Sequence, residues 1–157
     1  MGGHRRIQKL DLEEFMRKQG IPIPDEAQME ERKRILVVDD DPIIVETIVQ
    51  ALEEDVNDYE VISAADGFEA GLQVSHFKPN LLILDIMMPD IKGYEVCERI
   101  KSNPDTKDTK IMVLSAYLDE EKFNKMKEYG ADACFSKPLL LPQLKQEVSM
   151  LLGLDPD

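Results

Sequence analysis

From residue 35 onward, short apolar runs alternate with stretches of helical periodicity at a beat of about 20 to 30 residues. Five runs read as strands: ILVVD (35–39), YEVISA (59–64), LLILD (81–85), KIMVLS (110–115) and ACFS (133–136). Three of them show no polar alternation along most of their length, the pattern of parallel strands buried on both faces. After the first run, Ile44, Ile48, Ala51 and Leu52 recur at i, i+4, i+7 and i+8. After the last, Leu141, Leu144, Val148, Leu151 and Leu152 mark another amphipathic helix. Strand and helix alternate five times. That order predicts an α/β domain with a doubly wound, five-stranded parallel sheet and helices on both faces, because each right-handed crossover lies on one face or the other.

Residues 1–34 follow another pattern. Leu12, Phe15 and Met16 fall at i, i+3 and i+4, with Asp11 as cap and Gly20 as stop, which predicts a short amphipathic helix. Ile21-Pro22-Ile23-Pro24 is then extended, since each proline fixes its backbone dihedral and removes a donor. The following DEAQMEERKR is a solvated spacer or a surface helix. Residues 1–24 are therefore read as an N-terminal helical segment, 25–33 as a linker and 34–157 as the folded domain.

Charge sharpens this division. Residues 1–34 hold eight Lys and Arg against seven Asp and Glu, a net +1, whereas residues 35–157 hold 11 against 25, a net −14. The chain total of −13 disfavours nucleic-acid binding by the chain as a whole. No apolar stretch reaches the roughly 18 to 20 residues that span a bilayer, and MGGHRRIQKL lacks the apolar centre of a secretion signal. A cytoplasmic protein without membrane contact is expected. Cys97 and Cys134 make no ligand spacing with each other or with His4 and His76, so neither a zinc site nor a disulfide framework is expected.

In open α/β sheets, ligands bind beyond the carboxyl ends of the strands, where strand order reverses. Asp39-Asp40-Asp41-Pro42 lies at the end of the first strand, Asp85 at the third, Ser115 at the fourth and Lys137-Pro138 at the fifth. Asp41 before Pro42 has the form of a helix cap and first helical position. Clustered carboxylates repel one another unless a cation neutralises them or their pKa values rise. With oxygen donors alone, Mg²⁺ is the matching ion, since it takes one or two carboxylates together with phosphate oxygens. Phosphate chemistry follows: Lys137 offers positive charge, Ser115 a donor, and Asp85 a nucleophile that could become an aspartyl phosphate.

These segments resemble the receiver domain of response regulators in two-component signalling. ILVVDDDP is similar to the family's acidic-pair motif, LLILDIMMPDIKGYE to its phosphorylation-site motif, VLSA to its switch-hydroxyl motif and FSKPL to its Lys-Pro motif. The resemblance covers residues 33 to 153. It implies a flavodoxin-like sheet of order 2-1-3-4-5 and an Mg²⁺-dependent phosphorelay in which Asp85 takes a phosphoryl group from a sensor histidine kinase or phosphotransfer protein. It further implies Asp39, Asp40, Asp85 and the backbone carbonyl of Met87 as metal ligands, with Ser115 and Lys137 on the phosphoryl group. A cis peptide at Lys137-Pro138 is implied too, with Pro89, Gly93 and Ala116 in supporting places. Met87 and Tyr117 would flank the phosphoryl group and slow its hydrolysis.

By the same resemblance, partners read the surface of the fourth helix, fifth strand and fifth helix, either a downstream protein or a second copy in a homodimer. The family's usual aromatic switch position is Cys134 here. A thiol cannot swing as an aromatic ring does, so Phe135 or Tyr117 takes that role or the surface is coupled differently. A receiver of this kind is a phosphoacceptor rather than an enzyme, although it can catalyse its own phosphorylation from small donors and its own dephosphorylation. The alternative is an interaction scaffold of the same fold that is never phosphorylated; the full set of acids, hydroxyl and amine argues against it.

GGHRRIQKLDLEEFMRKQGI resembles the wing and following helix of excisionase-like or MerR-like winged helix-turn-helix proteins. That resemblance implies DNA as a partner only if a helix-turn-helix lies upstream. The chain stops at Asp157, so output is expected through the N-terminal part or through surface contacts. A flavodoxin-like electron carrier is disfavoured by three acids where a flavin phosphate needs a Ser/Thr/Gly-rich loop. A haloacid-dehalogenase-type phosphatase is disfavoured by Met87, where it needs a second Asp.

Overall fold

The computed structural model describes Lys18 and residues 32–88, 92–116 and 118–154. The expected N-terminal helix, the Pro22 and Pro24 segment, Pro89 and Tyr117 lie outside the described residues. Residues Lys33–Asp157 form one compact unit. Its elements alternate without exception: β1 (Arg34–Val38), α1 (Pro42–Glu53), β2 (Glu60–Ala64), α2 (Gly67–Phe77), β3 (Leu81–Leu84), α3 (Gly93–Ser102), β4 (Lys110–Ser115), α4 (Glu120–Glu128), β5 (Ala133–Ser136) and α5 (Leu141–Leu151). The five strands pair in parallel in the order β2-β1-β3-β4-β5, as the sequence implies.

The three runs without alternation are the three central strands. Leu81–Leu84 and the apolar parts of β1 and β4 are buried throughout, because helices cover both of their faces. The half-exposed β2 and β5 are the edges. Strand alternation sends successive side chains to opposite faces. Leu36, Val38, Leu82, Leu84, Ile111, Val113 and Cys134 pack with Ala70, Val74, Cys97, Ile100 and Met126 from α2, α3 and α4. Ile35, Val37, Leu81, Ile83, Met112 and Leu114 pack with Ile48, Leu52, Leu144 and Val148 from α1 and α5.

Local chemistry sets the helix starts near the strand ends. Asp41 caps α1, its carboxylate accepting from the Ile43 amide at 3.0 Å, and Pro42 takes the first helical position, where its missing N–H costs nothing. Asp66 caps α2 through the Glu69 amide at 2.8 Å, and Asp119 caps α4 through the Lys122 amide at 2.7 Å. Two strand ends differ from the expectation: β1 stops at Val38 and β3 at Leu84, one residue before each acid. The amides of Asp39 and Asp85 still reach Ala64 O and Val38 O, at 3.3 and 3.0 Å, so the acids sit where the ladder lets go of the chain.

Gly93 opens α3 under tight packing. A Cβ there would lie 2.9 Å from the Cβ of Ile86, closer than real contacts allow. Gly93→Ala is accordingly expected to destabilise the fold by about 1–3 kcal/mol through overpacking against the segment that follows Asp85. Urea unfolding checks this, and a variant as stable as the native chain would contradict it.

Candidate functional site

Strand order brings the predicted residues together. Because β1 lies beside β3, Asp39 and Asp85 emerge as neighbours at one edge of the sheet. Both are buried, at 4% and 6% exposure, while Asp40 is exposed. One carboxylate oxygen from each of the three lies within 4.8 Å of the other two. Ser115 ends β4, the next strand along, and is fully buried. Ala116 follows it in an exposed turn.

From the far side of the site comes Lys137, just past β5. Its Nζ donates to Asp39 Oδ2 at 2.6 Å and to Asp85 Oδ2 at 3.3 Å. The Lys137 amide is fixed to Ser115 O at 2.9 Å, which ties the two neighbouring strand ends. The Lys137-Pro138 bond is cis, as the resemblance implies. The remaining carboxylate oxygens are held by the backbone: Asp39 Oδ1 accepts from the Asp41 amide at 2.9 Å and Asp85 Oδ1 from the Met87 amide at 3.0 Å. Each turn thus orients its acid through the amide two residues on.

Three negative charges share this space with one bridging ammonium. Hard oxygen donors in such a group suit a divalent ion, and Asp39, Asp40 and Asp85 are the residues that could hold it. Met87 follows on the loop with its side chain exposed. Gly93 stands behind that loop, against Ile86. Cys134 is buried in the face covered by α2, α3 and α4, whereas Phe135 packs on the opposite face with α1 and α5. Phe135 therefore does not share the position of Cys134, because adjacent residues of a strand point to opposite sides.

No motif in the sequence gives Lys92, Tyr94, Lys122 or Lys125 a role. They meet in a cleft next to Met87, and the Lys122 Nζ lies 3.9 Å from Met87 Sδ. Lys122 and Lys125 are spaced at i, i+3 on α4, which signals a shared helix face but not what that face meets.

Burial pulls the Lys137 ammonium down, yet its hydrogen bond to Asp39 and the charges of Asp85 and Asp39 outweigh that. Its pKa stands raised above the ordinary 10.5. A group with a raised folded-state value stabilises the fold fully below its unfolded-state value and loses that contribution as pH rises through the folded one. Lys137→Met is therefore expected to be less stable than the native chain at neutral pH, with the difference closing above 10.5. Urea midpoints across that range check this; a difference that persists undiminished in strong base would contradict it.

Comparison with known proteins agrees with this geometry. The family model described as "Response regulator receiver domain" matches residues 35–149. The response regulator MprA of Mycobacterium leprae is 38% identical over 119 residues, covering 76% of this chain and 50% of that protein. The alkaline phosphatase synthesis transcriptional regulatory protein PhoP of Bacillus subtilis is 36% identical over 124 residues, covering 76% and 48%. The chain spans about half the length of these curated relatives. Among solved structures, the signal receiver domain of a response regulator from Bermanella marisrubri is 34% identical with a TM-score of 0.70, covering 78% of this chain and 99% of that one. The signal receiver domain of a DNA binding response regulator protein (merR) from Colwellia psychrerythraea is 29% identical with a TM-score of 0.73, covering 77% and 98%. Fold, acid cluster and family match converge: the chain belongs to the response regulator receiver domains, the phosphorylation-based signalling modules of two-component systems.

Proposed function

We propose that Asp85 is the phosphoacceptor of a phosphorelay and that its partner is a sensor histidine kinase or a phosphotransfer protein. The carrying observation is the buried Asp85 carboxylate, joined to Asp39 through Lys137 and standing in a cluster of three acids. In the transfer, a carboxylate oxygen of Asp85 forms a bond to phosphorus as the P–N bond of a phosphohistidine breaks, and the imidazole leaves with the electron pair of that bond. The turn amide of Met87 orients the attacking carboxylate. Lys137 is close enough to shift from Asp85 to a phosphoryl oxygen, and the Ser115 hydroxyl is assigned to a second one. Pro138, Pro89, Gly93 and Ala116 are given the supporting places around them.

Receiver domains bind Mg²⁺ at an acidic pocket, and the residues present fit that ion. Asp39, Asp40, Asp85 and the carbonyl of Met87 are the proposed ligands. Bound there, Mg²⁺ supplies electrostatic screening between the acids and the incoming phosphoryl dianion. The same residues would let the domain phosphorylate itself from small donors and release the group again. Met87, half exposed two residues after Asp85, and Tyr117 are proposed to limit access of water and prolong the phosphorylated state.

For a partner, the rim of the site offers apolar contact. Ile43, Phe68, Met87 and Leu140 are exposed, and each follows the carboxyl end of a different strand. Such a collar suits a protein donor, which brings its own apolar surface around a phosphohistidine. The signal is proposed to leave through the surface of α4, β5 and α5, read by a downstream protein or a second copy. Transcription control is the proposed output, supported by the relative named a transcriptional regulatory protein and by the receiver taken from a DNA binding response regulator. The resemblance of residues 1–20 to a winged helix-turn-helix finds no support in the comparisons, which match the receiver domain alone. A cytoplasmic location goes with this role, and among the described residues no helix is long and apolar enough to cross a membrane.

Intact mass after incubation with Mg²⁺ and acetyl phosphate tests the acceptor. One phosphoryl group is expected on the native chain and none on Asp85→Asn. Equal gain in both, or none in either, would overturn the assignment.

A further inference from the structure

On the face of the sheet covered by α2 and α3 lies a cleft of about 280 Å³. Ligand pockets run from about 300 to 1,000 Å³, so this one suits a small molecule. Val74 of α2 and Val96 and Ile100 of α3 give it apolar walls, and Val38 and Leu84 of the sheet line it as well. At its α2 edge stands Gly71, exposed within the helix. A Cβ there would meet nothing within 4 Å, in contrast with Gly93, so packing inside the domain does not call for the missing side chain. A glycine inside a helix weakens it relative to alanine. Its effect at position 71 is to leave the cleft open.

The cleft also carries charge. Arg99 of α3 lines it and is exposed, and among the described residues it makes no ion pair. Glu95, one turn earlier on the same helix, faces Lys92 at 4.0 Å instead. Asn103 joins the lining, and its Oδ1 accepts from the Asp105 amide at 2.9 Å, which leaves its NH₂ group as a second donor. Apolar walls with a guanidinium at the edge match an apolar chain that ends in an anion. The planar fork of arginine fits a carboxylate through two parallel hydrogen bonds. A head of higher charge is disfavoured, because residues 35–157 hold 11 Lys and Arg against 25 Asp and Glu, a net −14.

We propose that the cleft between α2 and α3 binds a small apolar carboxylate, with its chain against Val74, Val96 and Ile100 and its head on the Arg99 guanidinium. Val38 and Leu84 are the residues just before Asp39 and Asp85, so an occupant would press on the ends of the two strands that carry the site. Binding there does not depend on the chemistry of Asp85, and no phosphodonor enters its test.

That test is a nuclear magnetic resonance titration of the full chain with hexanoate, with hexanol as the neutral analogue and acetate as the head alone, read on the amides of residues 71 and 99. Hexanoate is expected to shift both amides to saturation, hexanol to bind about tenfold more weakly and acetate not to saturate. Arg99→Gln is expected to weaken hexanoate about tenfold, to the level of hexanol, and to leave hexanol unchanged. Gly71→Leu, which fills the opening, is expected to lose both, with its urea midpoint showing that it is folded. Lys107→Gln removes an equal charge outside the cleft and is expected to bind as the native chain does. Absence of saturation by hexanoate overturns the proposal, as does equal affinity for hexanol, hexanoate binding undiminished in Arg99→Gln or in Gly71→Leu, or equal loss in Lys107→Gln. Should Gly71→Leu unfold, Arg99→Gln against its hexanol control decides alone.

Discussion

The ammonium of Lys137, bridging Asp39 and Asp85 at 2.6 and 3.3 Å, is the contact on which the site is organised. Two carboxylates at 4% and 6% exposure would repel strongly without it, and removing one partner of a buried ion pair costs about 3–5 kcal/mol. The contact also spans the sheet. Asp39 follows β1, Asp85 follows β3 and Lys137 follows β5, so one side chain ties three strand ends across the intervening β4. It leaves the exposed Asp40 without a share in the bridge and the cluster short of positive charge. That shortage is what a divalent ion and a phosphoryl group together would correct.

Everything below this edge serves to keep it in place. Central strands buried on both faces give a rigid floor, and the order β2-β1-β3-β4-β5 makes the first and third strands neighbours. Each acid is then aimed by a short turn, through the Asp41 amide for Asp39 and the Met87 amide for Asp85. Precision at the site comes from backbone geometry, and adaptability from the exposed side chain of Met87.

Much of this was legible in the sequence because burial on two faces leaves uninterrupted apolar runs. ILVVD, LLILD and KIMVLS announce central strands, and the acids and lysine after them mark the functional edge. The Asp41-Pro42 pair reads as a cap because its role is satisfied within three residues, at the Ile43 amide. What was not legible depends on contacts distant in sequence. Lys122 is 35 residues from Met87, and nothing in the pattern EEKFNKMKE says which neighbour its face meets. Phe135 was a candidate to replace the aromatic lever, yet strand alternation places it against α1 and α5, away from Cys134.

The three acids are held short of positive charge at a sheet edge that fits a cation. Urea unfolding at neutral pH over rising magnesium chloride, on the native chain and Asp40→Asn, tests it most directly. The native chain should gain stability to about 2.7 kcal/mol at a hundred times its Kd for Mg²⁺. Without the ion, Asp40→Asn should start out more stable than native and gain little on addition. A native stability indifferent to Mg²⁺, or an Asp40→Asn variant weaker than native in its absence, would show that the acids are not short of a cation.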